Sequence, residues 1–184
     1  MRQFYEGKLW IISGEIGAGK TLLCAALIKQ FQQSLWRIRG LHSAAIFDGD
    51  KKVAISVVNL ANQEIRQLAV YDPKPDKSED DPFRWRFDLQ VLAWGNQAFI
   101  TAVPTDVLVV DELGPLEMKR NQGWVHALSA LDSRKYRQAI LVMRPRLLSI
   151  ALDHWPWGRT IFIKSVEQVP EICRQLMGEW ELME

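Results

Sequence analysis

Apolar positions along this chain fall into three kinds of pattern. Lys8 to Ser13 (KLWIIS) and Val107-Leu108-Val109-Val110 are short unbroken apolar runs, as expected of strands covered on both faces. From about Lys20 to Ser34 the spacing becomes helical, with Leu23, Leu27, Ile28 and Phe31 on one face. Between them, residues 40–47, 53–59 and 64–71 read as short strands joined by turns. Asp48-Gly49 suits a tight hairpin, and Ala61-Asn62-Gln63 supplies a second turn. This predicts an antiparallel β-meander appended to an α/β core.

Asp72 to Pro82 (DPKPDKSEDDP) carries three prolines and mostly charge, so it reads as an exposed loop. Residues 83–87 form a candidate short strand, and Asp88 a candidate N-cap for a helix running to Thr101. After the Val107 strand come a helix from about Gln122 to Arg134, a strand from Gln138 to Met143 and a helix near residues 146–154. A strand over 160–163 and a helix over 169–177 complete the chain. Alternation of this kind predicts a three-layer α/β/α sandwich with a mainly parallel sheet. Its 184 residues fit one domain, 1–184, with the β-rich insert over about 40–87.

The turn after the first strand changes the picture. Gly14-Glu15-Ile16-Gly17-Ala18-Gly19-Lys20-Thr21 matches the phosphate-loop pattern G-x-x-x-x-G-K-[ST] in full. Its glycines let consecutive N–H groups turn inward toward phosphate oxygens, and the following helix adds its positive dipole end. Lys20 is expected to bridge the β- and γ-phosphates, and the Thr21 hydroxyl to bind Mg²⁺. Leu22 closes the nucleotide-binding stretch. A chance match in a chain of this length arises on the order of one time in a hundred, and the flanking strand and helix lower that further.

Asp111-Glu112 follows directly on the second apolar run. Ligands of parallel α/β sheets bind at the carboxyl ends of strands, so Asp111 is the candidate metal partner. Glu112 is the candidate base for the water that attacks the γ-phosphate. Arg144, directly after the strand ending at Met143, is the candidate cation for the charge that develops, ahead of Arg146 and Arg120. The bland alternative for Asp-Glu is a strand end entering the Gly114-Pro115 turn.

Together, Gly14–Thr21 and Asp111-Glu112-Leu113-Gly114-Pro115-Leu116-Glu117 resemble the small nucleoside-triphosphatases of the thermophile type, relatives of the cancer-related nucleoside-triphosphatase. That family's acidic motif typically runs D-E-I-G-P-M-E, and residues 40–69 resemble its β-rich insert. The resemblance covers about residues 8–131. It implies a RecA-like core, hydrolysis of several NTPs with Mg²⁺, and Glu112 as base. It also suggests that Glu117 matters, the alternative being an exposed carboxylate at a helix start. Two family elements are missing: Val53-Ala54-Ile55 stands where an arginine-glycine-phenylalanine cluster is usual, and Lys164-Ser165-Val166 where threonine-asparagine-arginine is usual.

Composition narrows the partners. With 23 basic and 22 acidic residues the net charge is +1, which gives no reason to expect nucleic acid or an anionic membrane. No apolar run is long enough to span a bilayer, and the N-terminus lacks a signal-peptide layout, so the cytoplasm is the expected compartment. Cys24 and Cys173 read as reduced core residues. His42, His126 and His154 lack metal-ligand spacing, and Trp155-Pro156-Trp157 reads as a plug of the core. The expected partner is a nucleoside triphosphate, with a protein partner possible. Two rival readings stay open: a nucleotide-gated binding module with slow hydrolysis, and a small P-loop nucleotide or nucleoside kinase. The kinase would need an arginine-rich lid, whereas the Asp72–Pro82 loop is acidic.

Overall fold

The computed structural model describes residues 7–72 and 85–181, so most of the expected Asp72–Pro82 loop and the start of the 83–87 strand lie outside the described residues. In chain order the elements are β1 (Lys8–Ser13), α1 (Lys20–Gln32), β2 (Ile38–Asp48), β3 (Lys51–Asn59), β4 (Ile65–Tyr71) and β5 (Trp85–Phe87). There follow α2 (Leu89–Ile100), β6 (Thr105–Asp111), α3 (Pro115–Arg120), α4 (Val125–Asp132), β7 (Tyr136–Met143), α5 (Leu148–His154), β8 (Arg159–Phe162) and α6 (Val169–Glu181). All eight strands belong to one sheet in the order β5-β4-β3-β2-β6-β7-β1-β8. From β2 to β8 neighbouring strands run parallel; from β2 out to β5 they run antiparallel.

Alternate residues of the parallel strands feed two separate cores, because successive side chains point to opposite faces. Trp10, Ile12, Val109 and Val142 pack with Leu23, Leu27 and Phe31 of α1 and Leu176 and Trp180 of α6. Leu9, Ile11, Leu108, Val110 and Leu141 pack with residues of α2, α4 and α5, including Phe99, Ala127 and Ala151. This is the α/β/α sandwich that the unbroken apolar runs predict. Cys24 and Cys173 are free and buried, Trp155 is fully buried in the second core, and Trp157 packs against it partly buried. Asp88 caps α2 as expected, its Oδ1 accepting from Gln90 N (2.8 Å) and Val91 N (3.2 Å).

The antiparallel meander lies at one edge of the sheet, as expected, and β2 joins it to the parallel part: its first residues pair parallel with β6, Ile38 to Val107 through Leu41 to Val110. Only beyond that point does β2 continue as the first strand of the antiparallel part. The transition sits at Gly40, whose φ of +104° and close approach to β6 exclude a side chain: a Cβ would lie 2.0 Å from Val109 O. The single helix expected over 122–134 is shortened at its start to α4, with a separate α3 before it. Asn121 (φ +51°) and Gly123 (φ +75°) break the helical path between them. Finally, Glu117 is not an exposed helix-start carboxylate; it is 9% exposed.

Candidate functional site

Parallel strands put their carboxyl ends along one edge of the sheet, and the register here lines up three of them. Ser13, the last residue of β1, pairs with Met143 of β7; Val142 pairs with Asp111 of β6. The phosphate-loop sequence, Arg144 and Asp111-Glu112 therefore leave the sheet side by side, with β7 between the other two strands. Strand β2 runs in the same direction beside β6 and delivers a fourth group, His42 and Ser43, immediately after the last pair, Leu41 to Val110.

The loop from Gly14 to Gly19 leads straight into α1. Glu15, Ile16 and Gly17 are exposed, Ala18 and Lys20 buried, and Gly19 caps the helix with φ +102°. Thr21 is half-buried and Leu22 exposed on the first turn of α1. Lys20 Nζ donates to Gly14 O (2.7 Å) and Glu15 O (2.8 Å), which fixes the ammonium inside the curl of the loop. Burial holds the Lys20 ammonium below the ordinary lysine range, and nearby Glu112 opposes that shift.

Asp111 is 1% exposed. Its Oδ2 lies 2.7 Å from His42 Nδ1 and accepts weakly from Ser43 N (3.4 Å), while Ser43 Oγ donates to Asp111 O (2.5 Å). A buried carboxylate needs such partners, and they come from β2. The Asp111–Glu112 peptide bond is cis. Glu112 is half-exposed, and its Oε1 accepts from Arg144 Nε at 3.2 Å. Arg146 and Arg120 are exposed and do not border the cavity described next.

That cavity measures about 220 Å³. Thr21, Asp111, Glu112 and Arg144 line one part of it. The rest is lined largely by apolar side chains, chiefly Ile55, Leu68, Trp85, Phe87, Leu92 and Trp124. Lys52 of β3 also lines it, with Nζ 5.0 Å from the centre of the Trp85 ring. Desolvation lowers the Lys52 ammonium pKa, and the charge of Glu112 opposes that shift.

Behind the acidic pair, Glu117 works as a brace. One carboxylate oxygen accepts from Gly114 N (2.9 Å) and the other from Trp124 N (3.0 Å), tying the start of α3 to the start of α4. Burial raises its pKa, against the effect of those two bonds. Cys24 Sγ, a His42 ring nitrogen and an Asp111 oxygen lie within 4.8 Å of one another. Complete burial raises the Cys24 pKa well above the ordinary thiol value, with the nearby Asp111 carboxylate adding to the shift.

Of the residues singled out in the sequence, Thr21, Asp111, Glu112 and Arg144 line one cavity, and Lys20 precedes Thr21 at the start of α1. His42, Ser43 and Lys52 were not foreseen. His42 was set aside with the other histidines for want of ligand spacing, and only the parallel pairing of β2 with β6 shows where it goes.

Among the described residues, no helix is long and apolar enough to cross a membrane. The family model for NTPases matches residues 10–151. The nucleoside-triphosphatase THEP1 of Caldivirga maquilingensis is 25% identical over 169 residues, covering 90% of this chain and 92% of its own. That of Saccharolobus solfataricus is 24% identical over 174 residues, covering 91% and 89%. In fold, a human cancer-related nucleoside triphosphatase superposes with a TM-score of 0.61 at 16% identity, covering 94% of this chain and 98% of its own. THEP1 from Aquifex aeolicus gives 0.59 at 14%, covering 95% and 99%. With the family model spanning well over half its length, the chain belongs to the NTPase family.

Proposed function

We propose that this chain hydrolyses nucleoside triphosphates to the diphosphate and phosphate with Mg²⁺, using Glu112 to activate water. The observation that carries this reading is the shared border of one cavity: Thr21, Asp111, Glu112 and Arg144 line it together, beside Lys20. The names of the THEP1 relatives support it.

In this reading the N–H groups of Gly14 through Leu22 cradle the phosphates. Lys20 exchanges its Gly14 and Glu15 carbonyls for β- and γ-phosphate oxygens. The Thr21 hydroxyl and the Asp111 carboxylate are hard oxygen donors on the rim of the same cavity, a set that suits Mg²⁺. Bound there, the ion would neutralise charge on the β- and γ-phosphates. His42 and Ser43 orient the Asp111 carboxylate. Glu112 takes the proton of the attacking water. Arg144, which donates to Glu112, would meet the charge spreading over the γ-phosphate oxygens.

Free-phosphate release from ATP, GTP, CTP and UTP with Mg²⁺ tests this. Lys20→Ala is expected to abolish nucleotide binding. Glu112→Gln is expected to bind normally and to lose about 100-fold or more in turnover, the usual scale for removing a general base. Normal hydrolysis by Glu112→Gln would end the base assignment, and no magnesium-dependent release by the wild type would end the reading as a whole.

A further inference from the structure

A water molecule takes roughly 30 Å³ in the liquid and needs polar partners. The cavity that opens beside Glu112 is about 220 Å³, and most of its wall is apolar. A site built only to deliver water has no use for that volume or for Trp85, Phe87 and Trp124. Nor does the cavity serve the nucleobase. Thr21 and Asp111 border it, so it faces the γ-phosphate and metal end, whereas the rest of the phosphate loop does not line it. That loop abuts Ile163, Val166 and Val169 instead.

We propose, building on the hydrolase reading, that this cavity is an acceptor site. Its ligand is a small single-ring aromatic or heteroaromatic molecule bearing a primary hydroxyl, which takes the place of water in front of the γ-phosphate.

Three observations define that ligand. Size comes first: an apolar cavity of about 150 Å³ in another protein holds benzene, so about 220 Å³ admits one ring with a short substituent. Shape comes second. Trp85, Phe87 and Trp124 offer aromatic surface and Ile55, Leu68 and Leu92 close the remaining wall, which favours a flat apolar body. Chemistry comes third: Glu112, Arg144 and Lys52 border the same cavity as the aromatic side chains, so a carboxylate able to accept one proton and two cations face the ring's substituent.

The transfer balances without a further reactant. The ligand's O–H gives its proton to the Glu112 carboxylate as its oxygen forms a bond to Pγ. The bond from Pγ to the β,γ-bridging oxygen breaks, and its electron pair leaves with the nucleoside diphosphate. The products are that diphosphate and a phosphomonoester, and Glu112 returns its proton to solvent. Hydrolysis is what the same machinery does when water occupies the front of the cavity.

The test follows ³¹P signals with Mg-ATP and millimolar benzyl alcohol or 3-pyridinemethanol, with benzyl methyl ether as the ring lacking a hydroxyl. The expected result has three parts: the alcohols yield phosphomonoester at the expense of free phosphate, the ether lowers phosphate release without forming ester, and Ile55→Phe, which fills the apolar end, cuts the ratio of ester to phosphate at least tenfold. Melting temperature and Mg-ADP affinity show whether Ile55→Phe is folded. Should that variant fail to fold, competition by the ether decides the location in the wild type. Phosphate release unaffected by every ring compound overturns the site, and inhibition by the alcohols without any ester overturns the acceptor role. Either result leaves the hydrolase reading standing. That reading fails only if none of ATP, GTP, CTP and UTP releases phosphate with Mg²⁺ when no ring compound is present.

Discussion

In the parallel half of the sheet, β6 and β7 are buried at almost every position on both faces. On the other half, β2 starts half-buried and ends in four exposed residues, and β3 mixes exposed, half-buried and buried positions. The two halves meet at one cavity yet supply different things to it. The buried half contributes the phosphate loop, the acidic pair and Arg144. The open half brings His42 Nδ1 to 2.7 Å from Asp111 Oδ2 and Ser43 N within hydrogen-bond reach of the same oxygen, and adds Lys52, Ile55 and Leu68 to the cavity wall. The residues proposed to act on phosphate are thus set by strands buried on both faces, and the rest of the cavity wall comes from strands that are more exposed.

The sharpest way to break that division is at the hinge between the halves. Gly40 lies where β2 still pairs with β6, with φ +104° and no room for a Cβ beside Val109 O. Gly40→Ala must strain the backbone and push β2 off β6 together, a loss we place at about 3 kcal/mol or more. Thermal and urea melts measure it. A variant as stable as the wild type would mean that β2 can shift as an independent flap, and the two halves would not be one unit.

Next in size is Glu117, which links the acidic strand end to α4. Glu117→Ala leaves Gly114 N–H and Trp124 N–H without their acceptor, at a cost of about 2–4 kcal/mol in unfolding experiments. The same residue carries a pH signature. Burial raises its pKa in the folded state above the ordinary 4.5, so the folded protein holds that proton more tightly than the unfolded chain. Its titration therefore adds stability that is complete below about pH 4.5 and is lost as pH rises through the raised value. Wild type compared with Glu117→Gln should show that decline across the weakly acidic range. A flat difference would mean that the carboxyl ionises as freely as in water.

How much of this could be read from the chain follows the same line between the halves. The phosphate loop is a local pattern: eight consecutive residues carry their own geometry, and an apolar strand and helix frame them. Asp111-Glu112 and Arg144 were legible because each directly ends an apolar run, and parallel strands end on one edge. The meander's strands were also legible, from turn residues such as Asp48-Gly49. Their attachment was not. Whether Ile38–Leu41 pairs with β6 is a long-range choice that hydrophobic pattern does not encode, and the identities of His42, Ser43 and Lys52 as site residues depend on that choice. Glu117 was missed as a brace for a related reason. Its burial depends on Gly123 folding back over it, where a Cβ would meet Glu117 Oε1 at 2.0 Å.

The smallest of these effects bears on the seam itself. Both contacts that β2 makes with the Asp111 carboxylate fall on Oδ2, from His42 Nδ1 at 2.7 Å and Ser43 N at 3.4 Å. If the open half serves the chemistry by holding that carboxylate in place, His42→Ala should leave nucleotide binding by the loop intact and weaken the response to metal. Groups that orient a metal-binding carboxylate typically contribute 10- to 100-fold in affinity. Since Ser43 remains in the variant, we expect the lower end: the Mg²⁺ concentration for half-maximal phosphate release rising about tenfold. His42→Asn, which keeps a side-chain N–H, should recover part of the loss. A His42→Ala enzyme with an unchanged magnesium titration would show that Asp111 is oriented by β6 alone, and the meander would then shape only the apolar end of the cavity.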